Sequence, residues 1–266
     1  MNGLALKLIL TPLLVGGASL VGRRWGPTIS GWLIALPLTS GPIIFYVALS
    51  QGMGFAAATA VGVLAGALSP VAFSLTYSWL AARWGWPRSL VAALVVFALV
   101  TALLRPLPLN WLLMYPVVIA GLIVAVRLMP RPLASTTVPS APPGWDIPAR
   151  MLVATSFVLL LTAAAPLLGP QLTGLLATFP LFGGTLAVFT HQFQGPQAAI
   201  NVLRGLLHGL FGFASFFMVL AALLERVGLA AAFGAALAVV LLLQAGSLWL
   251  LRRQAGQRAV ATATLQ

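Results

Sequence analysis

The chain contains no cysteine, only two acidic residues and only two histidines. The acids are Asp146 and Glu225, far apart in sequence; the histidines are His191 and His208. Disulfides and thiol chemistry are thereby excluded, and structural zinc sites and paired-carboxylate hydrolysis lack the side chains they need. An intramembrane Asp or Glu proton relay is nearly excluded too. No ATP-binding motif is evident. No enzymatic activity, no cofactor and no metal are expected. Charge of either sign is scarce: 6% of the 266 residues are charged, against about a quarter in ordinary soluble domains, while 61% are hydrophobic and the mean hydropathy is +1.07. Such a chain cannot cover a folded surface with polar groups, so its solvent is expected to be lipid.

What is present is long apolar runs separated by arginine. A membrane-spanning helix needs about 20 mostly apolar residues. Nine stretches qualify: 4–22, 28–49, 54–82, 88–104, 109–128, 151–168, 171–192, 197–224 and 228–251. The fold class expected is therefore an all-α polytopic membrane protein with about nine transmembrane helices. The third and eighth spans are long enough to tilt or to extend past the hydrocarbon. The first carries Lys7 inside its apolar run and Gly22-Arg23-Arg24-Trp25-Gly26 where a cleavage site should be, so it reads as a span and not as a signal peptide.

Nine spans place Arg23, Arg24, Arg83, Arg88, Arg127, Arg131, Arg150, Arg252, Arg253 and Arg258 on one side, and Lys7, Arg105 and Arg226 on the other. The positive-inside rule makes the first side cytoplasmic, with the N-terminus outside and the C-terminus inside a bacterial-type plasma membrane. Merging the fourth and fifth spans would spoil this bias. Trp25, Trp79, Trp84, Trp86, Trp111 and Trp249 fall near expected helix ends, as an interfacial belt would. The arginines sit singly or in pairs between apolar runs, so they form no nucleic-acid footprint. The partners expected are membrane lipid and a small solute; the oligomeric state is left open.

The Pro-rich stretch 130–148 reads as a linker. It divides a first membrane repeat (1–129, five helices) from a second (149–251, four helices), with a polar, frayed tail at 252–266. The halves resemble one another. A shift of 143 aligns 26–85 with 169–228 without a gap, and nine of the identities are glycine or proline, which set backbone geometry. Five spans separate equivalent points. Five is odd, so the second copy crosses in the opposite direction, as an inverted-topology repeat.

The second helix of each half opens with Gly-Pro and carries another proline ten residues on, Pro37 and Pro180. Ten residues rise about 15 Å, half of a hydrocarbon core of about 30 Å. Both helices are expected to be broken or kinked there, with Gly41-Pro42 and Gly183-Gly184 weakening the next turn and Thr39, Ser40 and Thr185 supplying hydroxyls. Freed backbone groups at that depth must be buried in protein or line a wet cavity. The following helices carry Gly62-xxx-Gly66 and Gly205-xxx-Gly209, a spacing that lets backbones approach closely.

Asn201, Arg204 and His208 share one face of the eighth helix, where the first half has Ala58, Val61 and Ala65. Arg204 is costly within a membrane. It either faces a polar interior and attracts an anion, or snorkels to the cytoplasmic interface while His208 bonds a carbonyl. Gln51 and Gln194 match at opposite faces as gate candidates or helix-end caps. The function expected is a small secondary transporter or exporter moving a small solute, anionic if Arg204 is central, by alternating access between the repeats. The rival readings are a channel or lipid-handling protein on the same repeat, or a non-transporting membrane scaffold.

Overall fold

The computed structural model describes residues 9, 11–13, 16, 17, 20, 36–130 and 144–263. The fold is all-helical, 88% helix, with no strand among the described residues. The spans expected at 4–22 and in the first part of 28–49 lie largely outside those residues, as does most of the linker. From Ser40 onward the elements are α1 (Ser40–Gln51), α2 (Met53–Gly66), α3 (Leu68–Ala81), α4 (Trp86–Leu104), α5 (Trp111–Leu128), α6 (Asp146–Leu176), α7 (Leu181–Gln194) and α8 (Pro196–Ala263). Five helices are long and apolar enough to cross a membrane: 53–81, 86–104, 111–128, 147–176 and 196–243.

Glycine divides the longest of these. Gly169 interrupts α6 at φ 75°, ψ 167°, and Gly228 interrupts α8 at φ 77°, ψ 176°. Gly52 and Gly195, 143 residues apart, separate α1 from α2 and α7 from α8 at φ 89°, ψ 170° and φ 86°, ψ 171°. This corner of backbone space is essentially closed to residues with a Cβ, so each of the four positions requires glycine.

Three boundaries differ from the sequence reading. α6 begins at Asp146, inside the stretch read as linker, because Pro148 falls in the first turn, where a missing N–H costs nothing. α8 runs through the tail to Ala263; that tail is rich in helix-forming Ala, Gln and Arg. The third span is two helices joined at Ala67. Pro70 explains the joint: it has no N–H to offer the Gly66 carbonyl.

Apolar side chains cover the outside of the bundle as well as its core. On α4, Val91, Val95, Leu99 and Leu103 form an exposed stripe at intervals of four, while Ser89, Ala93, Phe97, Thr101 and Leu104 are buried. An apolar stripe of this kind turned outward suits a lipid-facing helix. Hydroxyls bridge helices inside, with Thr101 Oγ1 to Ser69 Oγ at 2.9 Å and Tyr115 Oη to Ser215 Oγ at 3.0 Å. The closest approach joins α2 to α6. A Cβ on Gly62 would stand 2.6 Å from the Gln171 carbonyl oxygen, and one on Gly174 would run into the Thr59 carbonyl and the Gly62 backbone. The Gly62-xxx-Gly66 stripe therefore seats α2 across the broken helix of the other half.

Contacts also sort the helix ends. Trp79 Nε1 donates to the Leu128 carbonyl at 3.0 Å, Arg204 to that of Pro130, and Trp145 packs edge-on against Phe189. These bring the ends of α3, α5 and α7 together with the starts of α6 and α8. At the opposite end, Gln171 Nε2 donates to the carbonyls of Arg105 and Leu107 at 2.8 and 3.0 Å, and Gly54 lies against Glu225 Oε1.

Candidate functional site

The chain is not helical across the segments before α1 and α7. Pro180 has φ −78°, ψ 52°, the conformation at the centre of an inverse γ-turn. The Leu181 amide closes that turn on the Phe179 carbonyl at 2.7 Å, and the Leu38 amide closes the same turn on Leu36 at 2.7 Å. The next bonds match as well: Gly41 to Pro37 at 2.9 Å, and Gly184 to Pro180 at 2.7 Å. Two proline-centred breaks 143 residues apart thus share one backbone geometry.

Both breaks open on the same cavity, of about 50 Å³. Leu36, Thr39 and Ser40 line it from the first, and Phe179, Phe182 and Gly183, the equivalent positions, from the second. Pro70 and Phe213 form a further equivalent pair in the wall, completed by Ala177, Thr178, Pro180, Leu181, Leu206 and Leu210. The cavity is thus lined by matching positions of the two aligned segments. Nearby, Gly41 faces buried Phe216 and Gly184 faces buried Phe73.

The walls are mostly apolar, and much of their polarity is already used. Ser40 Oγ donates to the Ala177 carbonyl at 2.7 Å. Thr178 Oγ1 lies 2.7 Å from the Leu175 carbonyl and 3.1 Å from the Gly66 carbonyl, so one proton is shared between them. The second of these contacts serves the carbonyl that Pro70 leaves without a donor. Thr185 Oγ1 donates to Leu181 within its own helix at 2.5 Å. Among the described residues, the Thr39 hydroxyl has no partner, nor do the amides of Thr39, Ser40, Phe182 and Gly183. These four are first-turn amides, which a helix leaves unbonded. They give a small apolar chamber a few hydrogen-bond donors.

The sequence-expected residues fall into three groups. Pro37, Thr39, Ser40, Pro180 and Gly183 are at the breaks and the cavity. Gly41, Pro42, Gly184 and Thr185 follow within α1 and α7, which run on without interruption. The expected weakening of that turn is absent. Pro42 drops a single bond of the ladder, between Gly41 to Pro37 and Ile43 to Thr39, without ending the helix, and a Cβ at Gly41 or Gly184 would meet a phenylalanine at ordinary contact distance.

Asn201, Arg204 and His208 do not line the cavity. Leu206 and Leu210 do, and each lies two residues, about 200° round the helix, from Arg204 or His208. Arg204 donates to the Pro130 carbonyl just past the end of α5, and His208 Nδ1 lies 2.7 Å from the Arg204 carbonyl one turn back. Gln51 and Gln194 are the last residues of α1 and α7, before Gly52 and Gly195.

Three features escaped the sequence reading. Thr178 and Pro70 act together across the halves, a pairing visible only once α2 is seen against α6. Tyr77, fully buried, holds His191 Nδ1 at 3.1 Å from its hydroxyl; their counterparts are Leu220 and Ala48. Gln197 extends the polar face of Asn201 and Arg204 by one turn. No family model, curated protein or solved structure matches the chain, so function is argued from these residues alone.

Proposed function

We propose that the protein is a small secondary transporter of a bacterial-type plasma membrane. It crosses nine times, with the N-terminus outside, the C-terminus cytoplasmic and the halves related as an inverted repeat. Gly169 and Gly228 supply the turns that divide the two longest apolar helices into separate spans. Arg83 and Arg127 stand at the helix ends that gather with the start of α8, and Arg105 and Arg226 at the opposite end; the orientation itself rests on the excess of arginine in the sequence.

The observation that carries the reading is the meeting of two matched helix breaks at one cavity. Discontinuous helices at a repeat interface are where transporters of this architecture hold solute. Substrate would occupy the chamber between Thr39, Ser40, Pro180 and Gly183, meeting apolar walls and amide donors. That chemistry suits a small solute with an acceptor group, such as a carboxylate or carbonyl. Asn201, Arg204 and His208 would act outside the chamber, on the approach to it. Buried Phe73 and Phe216 near it favour a carrier over an open channel.

The absence of cysteine makes a direct test simple. In the Thr39→Cys protein, a membrane-impermeant thiol reagent is expected to reach the chamber in both right-side-out and inverted vesicles. Flux of labelled small carboxylates into liposomes should fall at least tenfold in Gly183→Leu, which fills the chamber. A thiol unreactive from both sides would favour a packed scaffold and end the transport reading.

A further inference from the structure

α8 carries a polar stripe that the chamber does not use. Gln197, Asn201, Arg204 and His208 follow at steps of four, three and four along one face. Three atoms of this stripe are buried with no hydrogen-bond partner among the described residues: Gln197 Nε2, Asn201 Oδ1 and Arg204 Nε. A native structure rarely leaves even one such atom, and the cost rises when the group is charged. Helix packing does not demand polarity here, because the counterparts Gly54, Ala58, Val61 and Ala65 occupy the equivalent face of α2.

The unmet demand has a definite sign. Arg204 has one hydrogen-bond partner among the described residues, the neutral Pro130 carbonyl, and its buried Nε–H has none among them. The side chain of Asp146, at the start of α6, lies outside the described set. Glu225 lies 21 residues further along α8, about 30 Å away along the helix. Gln197 adds a second buried donor. Asn201 adds a third when its amide is turned over, since its oxygen and nitrogen exchange by a half-turn. A guanidinium flanked by amide donors matches the planar oxygens of a phosphate or carboxylate. The stripe lies where α5 ends and Trp79 meets Leu128, a depth suited to headgroups. We infer that Gln197, Asn201 and Arg204 form an oxyanion site at this end of the bundle, filled by an anionic lipid headgroup or by a free anion. The site stands whether or not the protein transports.

The test uses the purified full chain in detergent. Lipid retention is read by native mass spectrometry with phosphatidylglycerol against phosphatidylcholine, and stabilisation is read by melting with inorganic phosphate or acetate. Wild type is expected to keep phosphatidylglycerol preferentially or to be stabilised by one of the anions; the first result identifies a headgroup and the second a free anion. Arg204→Gln and Asn201→Leu should each weaken that binding about tenfold, the worth of one charge-assisted hydrogen bond. Asn201→Leu leaves the Arg204–Pro130 contact in place, so it still reports if Arg204→Gln fails to fold. Wild type that neither discriminates the lipids nor responds to either anion overturns the inference, as does unchanged binding in both variants.

Discussion

The two sides of the cavity are built alike and finished differently. Gly184 of α7 faces Phe73 of α3, and Gly41 of α1 faces Phe216 of α8. Farther from the cavity the match ends. Tyr77 meets His191 through a hydrogen bond, where the other copy has only Leu220 and Ala48. Residues kept in both copies set backbone path and close approach. Residues that diverged set polarity, in both directions: Thr39, Ser40 and Ser74 stand where the other segment has Phe182, Gly183 and Phe217, while Asn201, Arg204 and His208 stand where it has Ala58, Val61 and Ala65. The architecture has tolerated an apolar side and a hydrogen-bonded side about the same frame, which would let the two open at different cost.

The largest expected effect concerns the frame that both sides share. Gly174→Leu drives a side chain into the backbone of α2 at Thr59 and Gly62. It should destabilise the protein by at least about 3 kcal/mol, the upper part of the range for overpacking, read as a fall in melting temperature in detergent. A protein that melts like wild type would mean that α2 and α6 are not in contact.

Tyr77→Phe tests the difference between the sides. Losing one hydrogen bond of about 1 kcal/mol should raise thiol labelling of Thr39→Cys about fivefold from the side of the His191 end. Labelling from the other side should stay as it was. An equal rise from both would show that the bond is a general brace and the asymmetry incidental.

Thr178→Val should cost about 1 kcal/mol in the native chain but clearly less beside Pro70→Ala, which restores an amide to the Gly66 carbonyl. The coupling energy of the double-mutant cycle measures how far that one carbonyl links the halves. At the small end, Gln51→Ala, at an exposed helix end, should change stability by less than about 0.5 kcal/mol. A larger loss would give Gln51 a part in the frame that its exposure does not suggest.

The breaks at Pro37 and Pro180 were legible in the sequence because proline and glycine act on their own backbone, without a partner. Gly169 was legible as the Gly-Pro opening of a span, whereas Gly228 reads only as the start of the ninth span, and its positive φ was not foreseen. The facing of Arg204 was not, since it depends on where α5 ends relative to α8, and Pro130 is 74 positions away in sequence. Nor was the role of Gly41, Pro42 and Gly184. Read locally they weaken a helix, but the bonds from Gly41 to Pro37, Ile43 to Thr39 and Gly184 to Pro180 all form around them. The Tyr77–His191 pair spans 114 positions and has no echo in the other copy, so the repeat offered no hint of it.

The hydrogen bonds from Ser40 to Ala177 and from Thr178 toward Gly66 tie residues 137 and 112 positions apart, at the wall of the cavity. Each bond is worth about 1 kcal/mol net, so the two together favour the joined arrangement by about 2 kcal/mol. That difference corresponds to a population ratio of about thirty. Ties of this size hold two distant segments together at rest without fixing them rigidly.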